Sequence, residues 1–119
     1  MSRPRICVIE DNDDFRSALV DRLIIEQFPA QGFAGIAEFL ASLAQDVPDL
    51  IVSDVHMDGG DGFDLVHRLQ ALRLDIPVIL MSGSHHPALD QRAQDMGVRT
   101  LLKKPFEFAR LLDIIRQIG

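Results

Sequence analysis

The 119 residues suffice for one domain, which at that size buries about two-thirds of the surface its unfolded chain would expose, and a composition of 47% hydrophobic and 25% charged residues is that of an ordinary globular protein. A net charge of −6 argues against direct binding of nucleic acid, which rests on neutralising phosphates. The single cysteine excludes an internal disulfide, and no apolar run approaches a secretory leader core or the ~20 residues of a membrane span, so a cytoplasmic location is expected.

Arg5 to Ile9 is predicted as a short buried strand in which Cys7 packs as a small core residue. Asp13 or Asp14 is placed to cap a helix whose apolar positions Phe15, Ala18, Leu19 and Leu23 fall at helical spacing. Pro29 to Ala34 reads as a weaker strand, and Ala37 to Ala44 as a helix with Phe39, Leu40 and Leu43 on one face. Leu50 to Ser53 is a third strand, followed by a loop of aspartates and glycines. Asp61 and Asp64 resemble the capping box of the next helix, marked by Leu65, Val66, Leu69 and Leu72. Pro77 to Met81 is a fourth strand, and Ser82 to His86 a polar loop. Pro87 suits the first turn of a helix through about Asp95, closed by Gly97. Val98 to Leu102 is the fifth strand, and Phe106 to Ile118 a final helix with Phe108, Leu111, Leu112, Ile115 and Ile118 on one side.

Strands that are continuously apolar and alternate with helices predict an α/β fold: a doubly wound, five-stranded parallel (βα)5 sheet with helices on both faces. In such sheets ligands bind beyond the carboxyl ends of the strands, where strand order reverses. The residues at those ends are polar: Glu10 and Asp11, Asp54, Ser82 and Lys104. With the flavodoxin-like order 2-1-3-4-5, the first and third strands are neighbours, so Glu10, Asp11 and Asp54 converge. Crowded carboxylates repel unless a cation neutralises them, and an all-oxygen set suits Mg²⁺ or a similar hard ion such as Mn²⁺. Lys104 and the Ser82 hydroxyl suit an anion. A carboxylate nucleophile beside an anion grip is an arrangement for phosphoryl transfer through an aspartyl phosphate.

Glu10-Asp11, Asp54 followed by Met57 and Asp61-Gly62, Ser82-Gly83, and Lys104-Pro105-Phe106 together resemble the bacterial response-regulator receiver domain, in order and over essentially the whole chain. The resemblance implies that Asp54 accepts the phosphoryl group and that Asp11 binds Mg²⁺ directly, with Glu10 assisting through water. It further implies that the backbone carbonyl of His56 completes the protein's metal ligands and that Ser82 and Lys104 bind the phosphoryl oxygens. Gly83 leaves room for the group, and the Lys104-Pro105 bond is expected to be cis. The donor implied is a phosphohistidine on a sensor histidine kinase or phosphotransfer protein, and the domain is no enzyme beyond its own phosphorylation and dephosphorylation. Leu101 stands where many receivers carry the aromatic ring of the switch, so signalling would pass through Ser82 and the surface of helix 4, strand 5 and helix 5, which also offers a homodimer face. Asp58 replaces a commonly found proline, and Glu10 lengthens one acid by a methylene. Residues 1–119 read as a single receiver domain without an output domain, either a stand-alone regulator or a fragment.

Several bland or rival readings stand beside these. Asp58 is expected to be a solvated loop residue, Asp61 a helix cap, His85 and His86 exposed loop residues, and Lys103 an exposed or edge charge. Asp54 to Gly59 imitates the start of a calcium-binding EF-hand loop, but the twelfth position is Leu65, where a bidentate Glu is required. A haloacid-dehalogenase-type phosphatase would need an aspartate two residues after the nucleophile, where His56 stands. The alternative within the fold is a pseudo-receiver, an interaction module that is not phosphorylated.

Overall fold

The computed structural model describes residues 3–57 and 60–118. Its strands are β1 (Ile6–Ile9), β2 (Ala30–Phe33), β3 (Leu50–Asp54), β4 (His56–Met57), β5 (Gly60–Asp61), β6 (Val78–Ser82) and β7 (Thr100–Lys103). The helices are α1 (Asp13–Ile25), α2 (Ile36–Ser42), α3 (Gly62–Ala71), α4 (Pro87–Asp95) and α5 (Phe108–Ile118). The main sheet runs β2-β1-β3-β6-β7, all parallel, which is the expected order 2-1-3-4-5 counted over its own strands.

Every residue of β1, β3 and β6 is buried, which is why these strands carry unbroken apolar runs. Strand alternation then sorts the side chains into two cores. Ile6, Val8, Leu50, Val52, Ile79 and Met81 meet α1 and α5 on one face. Cys7, Ile9, Ile51 and Leu80 meet Phe39 of α2, Leu65, Val66 and Leu69 of α3 and Ala93 of α4 on the other. Both faces are therefore covered. No described helix is long and apolar enough to cross a membrane.

The expected punctuation is mostly found. Asp61 and Asp64 form a reciprocal capping box at 2.8 and 3.1 Å. Pro87 opens α4, and Gly97 follows it with φ +76°. Most strand and helix ends shift by one or two residues, as where β7 starts at Thr100 instead of Val98 and α2 ends at Ser42 instead of Ala44, and two helix starts have an evident local cause. The cap of α1 is Asn12, whose side chain accepts the Phe15 N–H at 2.9 Å from an extended backbone; Asp13 and Asp14 fall inside the first turn, where their charge faces the positive end of the helix. Helix α5 begins at Phe108 instead of Phe106, its first turn closing where the Arg110 N–H reaches Glu107 O at 3.0 Å. The acidic loop also holds a small antiparallel ladder, His56 opposite Asp61 and Met57 opposite Gly60. The solvated position expected of Asp58 lies outside the described residues.

Candidate functional site

Asp54 is the last residue of β3 and is 8% exposed. The parallel register sets Ile9 opposite Ser53, so the chain leaving β1 at Glu10 and Asp11 emerges beside Asp54. One carboxylate oxygen from each of Glu10, Asp11 and Asp54 lies within 4.8 Å of the other two. Lys104 follows β7, held by its own N–H donating to Ser82 O at 2.7 Å, and the Lys104-Pro105 bond is cis. Its Nζ stands 2.7 Å from Glu10 Oε1 and 3.5 Å from Asp54 Oδ1.

Glu10 is almost fully enclosed, at 1% exposure. Burial pushes its carboxyl above the ordinary range, and the Asp54 charge adds to this; the Lys104 ammonium and the Asn12 N–H, donating at 3.3 Å, pull the other way. Two of the three acids, Glu10 and Asp54, share one lysine here. A donor set made only of carboxylate oxygens at that spacing fits a hard divalent cation.

Ser82 ends β6, buried, with Oγ accepting the Ser84 N–H at 3.0 Å and donating to Ser84 O at 3.4 Å. A side chain at Gly83 would meet nothing within 4 Å, so space is open beside Ser82. His56 lies exposed in β4, two residues past Asp54. Leu101 pairs with Leu80 in the sheet and packs half-buried against the core on the α2, α3 and α4 face. Asp61 stands apart as a helix cap whose Oδ2 lies 4.0 Å from Arg92. His85 and His86 are exposed, but His86 also caps α4, its Nδ1 accepting the Ala88 N–H at 3.0 Å. Lys103 pairs with Asp90 at 3.1 Å.

Two neighbours of the site carried no signal in the sequence beyond apolar and charged spacing. The Phe15 ring lies under Lys104, its centre 4.3 Å from Nζ. Arg16 donates to the Glu10 carbonyl at 2.8 Å and to Asp13 Oδ1 at 2.6 Å. It crosses β2 at Gly32, where a Cβ would stand 3.0 Å from its stem.

A family model described as the response regulator receiver domain matches residues 6–116. The C4-dicarboxylate transport transcriptional regulatory protein DctD of Rhizobium meliloti (strain 1021) is 32% identical over 114 residues, 96% of this chain, and the chain spans 25% of DctD. A response regulator receiver protein from Pseudomonas putida has a TM-score of 0.91 at 27% identity, with 98% of each chain covered. The response regulator protein TrrA from Thermotoga maritima, solved in complex with Mg²⁺-BeF, has a TM-score of 0.85 at 22% identity, with 100% of each chain covered. Because the family match runs from the first strand into the last helix, and the sheet order agrees with it throughout, the chain belongs to the receiver domains of two-component response regulators.

Proposed function

We propose that Asp54 accepts a phosphoryl group from a phosphohistidine on a sensor histidine kinase or phosphotransfer protein, and that the modified domain changes its association with a partner. The observation that carries this reading is the position of Asp54 at a strand end, beside Glu10 and Asp11 and 3.5 Å from Lys104. In the step, an Asp54 carboxylate oxygen forms a bond to phosphorus as the donor's N–P bond breaks. The bonding pair returns to the donor imidazole, which takes up a proton from solvent. Ser82 and Lys104 would hold the transferred oxygens, and Gly83 would leave them room.

Glu10, Asp11, Asp54 and the His56 backbone carbonyl would hold Mg²⁺ or Mn²⁺, which when bound supplies positive charge against the crowded acids and the transferred oxygens. The domain would act on no substrate but its own acyl phosphate, work in the cytoplasm, and reach its partner or a second copy through α4, β7 and α5.

Acetyl phosphate or a phosphoramidate with Mg²⁺ should add one phosphoryl mass to the wild type and none to Asp54→Ala. An unmodified wild type, or equal labelling of both, would sink the reading. Leu101, aliphatic where an aromatic switch is common, favours the pseudo-receiver as the second reading. Mg²⁺ titration separates them, because an intact acid cluster binds the ion with millimolar or tighter affinity and a pseudo-receiver does not.

A further inference from the structure

A lysine ammonium is a compact charge on a flexible stem, so its placement depends on what surrounds the tip. Around Lys104 Nζ stand Glu10 Oε1 at 2.7 Å, Asp54 Oδ1 at 3.5 Å and the centre of the Phe15 ring at 4.3 Å. Phe15 sits in the first turn of α1, its N–H held by the Asn12 cap. Its ring meets Phe106 edge-on, with centres 6.4 Å apart and planes at 83°. One ring therefore touches the residues on both sides of Pro105. The face of a benzene ring carries negative charge and attracts an ammonium, more strongly where water is partly excluded, and the Lys104 side chain is only 23% exposed.

We propose that Phe15 is a positioning residue that holds the Lys104 ammonium at Asp54 through the charge of its ring face. This rests on the phosphoryl-acceptor reading and adds a residue to it. The competing account is bulk: Phe15 also lines an apolar groove of about 200 Å³ with Ala18, Leu19, Phe106 and Phe108, and filling that groove would need only an apolar side chain.

The two accounts part under substitution. In the metal-free protein, NMR should find the Lys104 Hε signals displaced by the ring in the wild type and in Phe15→Tyr, and undisplaced in Phe15→Leu. Acetyl phosphate labelling with Mg²⁺ should slow roughly 2- to 30-fold in Phe15→Leu and recover to within about twofold in Phe15→Tyr. Mono-, di- and trifluorinated phenylalanines placed at position 15 should slow labelling in step with fluorine number, since fluorine drains the ring face while hardly changing its size. Equal rates across the fluorinated series, or Hε signals in the wild type matching those in Phe15→Leu, would overturn the proposal. A wild type that takes up no phosphoryl group would refute the acceptor reading instead, and the Hε signals would still decide whether the ring holds the lysine.

Discussion

Gly62→Ala tests how closely α3 is seated on the strand that carries Asp54. A Cβ at Gly62 would stand 2.7 Å from Leu80 Cδ2, 2.8 Å from Asp54 O and 3.4 Å from Val55 Cα. The leucine methyl can turn away. The Asp54 carbonyl cannot, because it is backbone in the buried end of β3, paired with Met81 of β6 and accepting the Ser53 hydroxyl at 3.0 Å. Two effects oppose each other. Alanine in a helix gains about 0.5–1 kcal/mol over glycine, whereas forcing a methyl into a packed contact costs about 1–3 kcal/mol. With backbone as the obstacle the clash wins, leaving a net loss of about 1–2 kcal/mol, or a fall in Tm of about 4–8 °C at roughly 4 °C per kcal/mol for a domain of this size. Thermal and urea unfolding followed by circular dichroism would measure it. A Tm at or above that of the wild type would refute the reasoning, since it would mean that α3 has room to spare. Gly83→Ala is the control: with nothing within 4 Å it should shift stability by less than about 0.5 kcal/mol.

The pairing of Lys104 with Glu10 makes a second prediction. Lys104→Met keeps the apolar stem but leaves a carboxylate at 1% exposure facing Asp54, which should cost about 3 kcal/mol in the metal-free protein. Adding Glu10→Gln should recover most of that loss, and strictly additive effects in the double-mutant cycle would count against the pair. Cys7 supplies the pH dependence. Burial pushes its thiol from 9.0 up to about 11, so it should resist thiol reagents at pH 8 until urea unfolds the chain. Because the folded value is raised, its contribution is complete below pH 9 and is lost as pH climbs through 11, to a limit of about 3 kcal/mol. Cys7→Ala should flatten that alkaline slope, and an unchanged slope would show that another group sets it.

The fold was legible because a parallel sheet covered on both faces demands unbroken apolar strands, a pattern that survives without any knowledge of tertiary contacts. Strand ends were equally legible, since Ser82 follows directly on such a run and Asp54 and Lys104 each stand one polar residue beyond one. Local devices could be read from spacing alone, as with Asp61 and Asp64 or Pro87 and Gly97. What failed depended on choices among neighbours. Asn12, Asp13 and Asp14 can all cap a helix, and the selection lies in backbone angles and in Arg16, which engages Asp13 at 2.6 Å. A two-residue ladder such as β4 with β5 has no periodicity to detect. The contacts of Phe15 with Lys104, and of Arg16 with Gly32, join residues far apart in sequence and leave no local trace.

Leu101 raises the question of how a change at Asp54 would reach α4, because an aliphatic side chain cannot act as a rotating aromatic ring. The hydrogen bonds of the intervening loop supply a physical connection. Ser82 Oγ accepts the Ser84 N–H at 3.0 Å, Ser84 Oγ accepts the His86 N–H at 3.3 Å, and His86 Nδ1 accepts the Ala88 N–H at 3.0 Å to cap α4. The bond in which the Ser82 hydroxyl donates, to Ser84 O, is long at 3.4 Å and therefore weak. Under the acceptor reading, a phosphoryl oxygen would replace that weak bond and leave the 3.0 Å bond intact. Turning the hydroxyl toward Asp54 would then cost little, and a displacement of Ser82 would draw on Ser84 and through it on the cap of α4.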